Sequence, residues 1–146
     1  MPISYYEQGV TSGLTGKRNL SRFITETVAA YRPDFKKVHL NYIFCDDAYL
    51  LVLNQRYLEH DTLTDVITFD LGEVGSGKLE GEIYISTERV RENAAQFAAP
   101  YADELLRVVF HGMLHLCGYK DKSAEDAAAM RAEEDKCIAQ YKKLQP

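Results

Sequence analysis

The chain has 146 residues, 46% of them hydrophobic and 27% charged, which predicts one globular domain over 1–146 with its own core and excludes a disordered chain. No apolar run approaches the ~18 residues of a spanning helix, and the opening MPISYYEQGV lacks the basic end and apolar stretch of an export signal, so a cytoplasmic protein with no membrane partner is expected. A net charge of −5 weighs against indiscriminate coating of nucleic acid, and three irregularly spaced cysteines read as reduced thiols rather than a disulfide framework.

The first predicted element is a short aromatic strand, ISYYEQ (3–8), followed by a turn-like GLTGKR (13–18). Leu20, Phe23, Ile24, Val28 and Tyr31 then recur at helical intervals up to Pro33. In KKVHLNYIFC (36–45), Val38, Leu40, Tyr42 and Phe44 alternate onto one face of a strand. Asp46 or Asp47 caps the helix AYLLVLNQRYL. TDVITFD (64–70) is a β-branched strand, GEVGSGK (72–78) a loop and EGEIYIS (80–86) a returning strand. Helices follow over 87–99, ended by Pro100, over 101–118, and over 123–143. The predicted class is α+β: a small mixed sheet of about four strands with packed helices.

The segment HGMLHLCGYKD (111–121) carries the chemistry. Around it, LLRVVFHGMLHLC (105–117) is apolar on nearly every side, as a buried helix is. Arg107, His111 and His115 interrupt it at four-residue steps, which brings each imidazole ~6 Å from the next along one stripe. Gly118 stands where a left-handed helix stop is favoured, and Ser123 with Asp126 has the spacing of a new N-cap. Only YKDK lies between, so Asp121 is expected to swing back toward the histidine helix. Two histidines and a carboxylate with a fourth position for water form a catalytic zinc pattern. On spacing alone, hydrogen-bonded core or surface histidines explain the pair equally well.

The same segment resembles the signature of the YbeY family, metal-dependent single-strand endoribonucleases that mature ribosomal RNA, whose pattern runs H-G-x-L-H-L-x-G-Y-D-H. Upstream, LNQRYLEHDTLTDVITFD (53–70) is similar to that family's L-N-x-x-Y-R-x-K-D-x-P-T-D-V-L-S-F-P, and LEGEIYIS (79–86) to the strand that follows. Met130 and Glu134 match its closing helix, so the likeness spans roughly residues 38–140.

The resemblance implies a zinc-dependent endoribonuclease with one Zn2+ per chain, placed on the buried late helix and the turn after it. His111 and His115 take the first two ligand positions, and Asp121 falls where the family has its third histidine. It also implies action on single-stranded RNA in ribosomal RNA maturation, including 16S 3′-end processing and ribosome quality control. The small ribosomal subunit or its assembly proteins are the implied partners. The family's arginine after tyrosine falls on Leu58, so that role does not carry over; Arg56 and Arg107 are the candidates for the missing cation. Thr64 and Asp65 either brace the site or cap a strand. His39, His60 and Asp61 are expected at the surface.

Three rival readings follow from the same residues. A zinc peptidase shares the H-x-x-x-H spacing, but wants glutamate after the first histidine where Gly112 stands. A non-haem iron oxygenase shares two histidines and a carboxylate, normally on strands. A non-catalytic, metal-stabilised ribosome-assembly or RNA-binding factor accommodates the loss of arginine at 58. An RNA partner needs locally gathered cations, and residues 1–42 hold six bases against three acids: Lys17, Arg18, Arg22, Arg32, Lys36 and Lys37.

Overall fold

The computed structural model describes residues 2–58 and 62–145. Its elements run β1 (Ile3–Glu7), α1 (Lys17–Tyr31), β2 (Lys37–Cys45), α2 (Asp47–Leu58), β3 (Val66–Asp70), β4 (Lys78–Ser86), α3 (Thr87–Gln96), α4 (Tyr101–Leu116) and α5 (Ala124–Lys143). This is an α+β fold on a four-stranded mixed sheet of order β1-β2-β4-β3. β1 and β2 pair in parallel, as do β2 and β4, while β3 runs antiparallel to β4 along the far edge. No described helix is long and apolar enough to cross a membrane.

The alternation in β2 turns Leu40, Tyr42 and Phe44 into the larger core, where Leu79, Ile83 and Ile85 of β4 join them beneath α1 and α4. Tyr42 is wholly buried, so its hydroxyl needs a partner; it donates to the Val109 carbonyl of α4 at 3.0 Å. Each buried side chain of this size contributes about 1.5–3 kcal/mol. On the other sheet face a smaller cluster of Cys45, Leu50 and Ile67 seats α2. Asp46 caps α2, its Oδ1 accepting from the Tyr49 N–H at 2.8 Å.

Several boundaries shift by one to three residues from the sequence expectation, and two of the shifts have a visible cause. β4 begins at Lys78 because its backbone pairs with Lys37 of β2, and a neighbouring strand is not visible in local pattern. α3 ends at Gln96 rather than 99, because the chain turns through Phe97 and a left-handed Ala98 at φ 51° before Pro100 opens α4.

Contact with the sheet fixes the position of α4. A Cβ at Gly112 would stand 2.7 Å from Ile83 Cγ2, and one at Gly81 2.7 Å from Leu116 Cδ1 and 2.9 Å from the Phe69 carbonyl. Glycine at both places lets helix and strand approach closely, so the histidine stripe is held at a set height above β4.

Candidate active site

α4 buries Val109, Phe110, Met113 and Leu114 completely, and its polar stripe emerges along one edge. The helix ends in a Schellman turn: the Gly118 N–H returns to the His115 carbonyl at 3.0 Å and the Tyr119 N–H to Leu114 at 3.1 Å. Gly118 supplies the φ of 109° that this turn requires. Ser123 then caps α5, its Oγ accepting from the Asp126 N–H at 3.0 Å. Between these two fixed points the chain doubles back, leaving Asp121 Oδ2 3.2 Å from His111 Nε2.

The other ring nitrogen of His111, Nδ1, lies 2.6 Å from Glu134 Oε2 on α5. Glu134 is buried, and its Oε1 accepts from Arg107 Nη1 at 3.1 Å, while Arg107 Nη2 donates to Asp135 at 2.7 Å. An ionised carboxylate only accepts, so the Glu134 contact places a proton on Nδ1. The Nε2 lone pair of a neutral ring then faces a carboxylate oxygen, an arrangement that calls for a positive species between them. Burial opposes charge on His111, but the Glu134 hydrogen bond and charge, with Asp121 and Asp65 behind them, outweigh it and raise the imidazole pKa.

These groups line a cavity of about 370 Å³. It presents four carboxylates, Asp65, Glu104, Asp121 and Glu134, against the guanidinium groups of Arg107 and Arg131. Burial raises the Asp65 pKa, opposed by the nearby His111, and burial likewise raises that of Glu104. The donor chemistry suits a cation: imidazole nitrogen, carboxylate oxygen, and a carboxylate on the far ring nitrogen of the kind that orients metal-bound histidine.

His115 sits elsewhere. It is exposed one turn further along α4 and lines the neighbouring groove with Arg32, Asp70 and Gly118. Among the described residues no three His, Cys, Asp or Glu side chains are grouped so as to hold a metal ion. The structure therefore brings together His111 and Asp121 and leaves His115 apart. Arg107 lines the cavity with its donors committed to carboxylates. Arg56 is exposed in the last turn of α2 and is not part of that lining.

Asp65 faces the cavity near Asn93, whose Nδ2 is 3.5 Å away. Among the described residues Thr64 donates a local bond to the Val66 carbonyl at 3.4 Å. His39 is half-buried on β2 rather than fully solvent-facing, because the groove beside it includes Val38 and Lys78. His60 and Asp61 lie outside the described residues.

Sequence reasoning matched Glu134 to a closing helix but gave it no role. The available signal was its place on the buried stripe of α5 with Met130, Cys137 and Tyr141, where a carboxylate needs a charged or donor partner. Phe97, 57% exposed at the cavity rim, was also missed; it falls in the turn that local pattern assigned to a helix. Gly112 bears on the peptidase reading. Position 112 faces Ile83 on the sheet, so a glutamate there has no path to the cavity.

Known proteins with similar sequences are RNA-cutting enzymes by name. The endoribonuclease YbeY of Flavobacterium psychrophilum is 61% identical over 98 residues, 66% of this chain and 67% of that protein. That of Bacteroides fragilis is 39% identical over 142 residues, 97% of this chain and 99% of the relative. The solution structure of TM1509 from Thermotoga maritima is similar with a TM-score of 0.60 at 30% identity, covering 95% of this chain and 88% of that one. The family described as Endoribonuclease YbeY matches residues 10–142. The family match and the relatives' names define the class as endoribonuclease, a hydrolase of RNA. This chain belongs to the endoribonuclease YbeY family.

Proposed function

We propose that the chain, acting as one domain in the cytoplasm, cleaves single-stranded RNA during ribosomal RNA maturation. One zinc ion is held by His111, His115 and Asp121. The observation that carries this reading is the half-buried His111, oriented by Glu134 on one nitrogen and facing Asp121 at 3.2 Å with the other. The acidic excess of the cavity favours a cation there; His115, one turn along α4 and exposed in the adjoining groove, would have to turn toward His111 and Asp121 to complete the set.

A zinc ion held by His111, His115 and Asp121 would supply Lewis acidity for a phosphoryl oxygen and activate a nucleophile near neutral pH. Glu134 keeps the proton on Nδ1, so Nε2 stays available as a donor. Arg107 neutralises Glu134 and contributes positive charge beside the place where phosphate charge develops. Phe97 offers an exposed ring at the rim on which an unpaired base can stack.

The test is elemental analysis of protein purified without added metal, repeated for Asp121→Ala, together with cleavage of end-labelled single-stranded RNA with and without chelator. Near-stoichiometric zinc that falls in the variant, and cleavage that stops with chelator or His111→Ala, are the expected results. Intact RNA with metal-replete wild type would overturn the nuclease reading. Products ending in a 2′,3′-cyclic phosphate identify the RNA hydroxyl as nucleophile; a 5′-phosphate with a free 3′ end identifies water.

A further inference from the structure

We infer that two linked grooves beside the sheet, formed by α1, β1 and the start of β2, bind the backbone of the single-stranded RNA and lead it toward the α4 histidines. This rests on the reading of the chain as a nuclease for single-stranded RNA.

The first groove, about 550 Å³, runs between edge strand β1 and α1 and carries Lys17, Arg18 and Arg22. The second, about 470 Å³, carries Lys36, Lys37 and Lys78. They share Pro2 and Thr25, so they are continuous. Six cations line this trough against one acid, Glu26, in a chain whose net charge is −5. Acids adjoin its ends, Glu7 near Lys17, Asp34 near Lys36 and Glu80 3.5 Å from Lys78, but the lining itself keeps the positive excess.

These cations are largely uncommitted. Among the described residues, Lys17, Arg18, Arg22 and Lys37 make no ion pair; Lys78 reaches Glu80 at 3.5 Å, and Lys36 donates to the Pro33 carbonyl at 3.1 Å. Lys17 and Arg18 also open α1, the end at which acidic side chains are the favoured ones. A row of unpaired cations tracks a polyphosphate backbone by releasing its counterions.

The second groove meets a third through Lys78, and that third groove contains His115. There Arg32 lies 4.4 Å over the Phe35 ring, held by Asp34 at 2.8 Å, a flat surface of the kind on which unstacked bases settle. Asp70 and Glu73 line it too, so positive charge falls away toward the histidines. The backbone contacts are therefore assigned to the first two grooves, and base contacts to the third. A double helix gives no such access to ring faces, which makes single-stranded RNA the occupant.

The test compares wild type, a quadruple variant (Lys17→Gln, Arg22→Gln, Lys36→Gln, Lys37→Gln) and His111→Ala. Binding to a fluorescein-labelled single-stranded RNA of about twenty nucleotides and to one of about six is followed by anisotropy across a salt series, with a duplex as competitor. Removing four cations should weaken binding of the long RNA at least tenfold and make the plot of log affinity against log salt shallower by about 3. The short RNA should be affected less, and thermal unfolding should be unchanged. An unaltered affinity and slope for the long RNA overturns the trough, even with His111→Ala inactive. Equal competition by duplex also overturns it. If wild type neither binds nor cuts single-stranded RNA, the nuclease reading itself has failed.

Discussion

Glu134 Oε2 lies 2.6 Å from Nδ1 of His111, reaching across from α5 to fix the ring on α4. Glu134→Gln preserves the shape of the side chain but removes the charge that keeps Nδ1 protonated. Zinc affinity should fall about 10- to 100-fold, and because Glu134 also holds Arg107 the fold should lose about 1–3 kcal/mol. Competition with a chromophoric chelator gives the affinity, and unchanged zinc binding would remove Glu134 from its orienting role.

Arg107 and Arg56 separate on two measurements. Arg107 holds both Glu134 and Asp135, so Arg107→Gln should destabilise the fold by about 1–3 kcal/mol and reduce cleavage at saturating zinc. Arg56 is exposed, and Arg56→Gln should alter stability by no more than about 0.5 kcal/mol. A fall in its cleavage rate alone would assign Arg56 to the RNA.

Gly112→Ala forces a methyl group against Ile83. Overpacking of this kind costs about 1–3 kcal/mol, read as a lower urea midpoint with the same slope. Equal stability of the variant would mean that the helix moves freely over β4.

Asp47 ties α2 to α3 through Arg89 at 2.9 Å and accepts from Ser86 at 2.7 Å. The Arg89 hydrogen bond, opposed by burial and aided by Ser86, lowers the carboxyl pKa below 3.8. A depressed folded pKa stabilises above the unfolded value, and that contribution is lost as pH falls through the folded one. Asp47→Asn should therefore cost about 1 kcal/mol at neutral pH, and the gap from wild type should close in acid below pH 3.8. Denaturant titrations at several pH values follow it.

Burial pushes the Cys45 and Cys117 thiols up to about 12 and Cys137 to about 11. With so little thiolate, a disulfide reagent at mild alkaline pH should leave the native protein unmodified and titrate all three thiols in denaturant. Rapid labelling of one thiol in native buffer would place it outside the core.

The elements were legible because each is amphipathic on its own: β2 alternates, α1 repeats at helical spacing, and Pro33 and Pro100 punctuate. The strand order was not, since β2 meets β4 across intervening α2 and β3, and only assembly decides that. Within the site, the Gly118 stop and the Ser123 cap announced the reversal carrying Asp121. The partner of His111 on α5 was harder to see: Glu134 is 23 residues away, and only its seat on an apolar stripe marks it. Four residues place His115 one turn along from His111, but which groove its ring enters depends on neighbours that spacing does not show; here it lies exposed beside Arg32 and Asp70.

Asp121 rides on a short connector between two anchored helices, with 43% of its side chain in solvent, whereas His111, 21% exposed, stands on a helix packed into the core. If the proposed metal site holds, a swap at 121 between oxygen and nitrogen donors would leave the scaffold undisturbed and retune the preference among hard and softer ions from that one peripheral position.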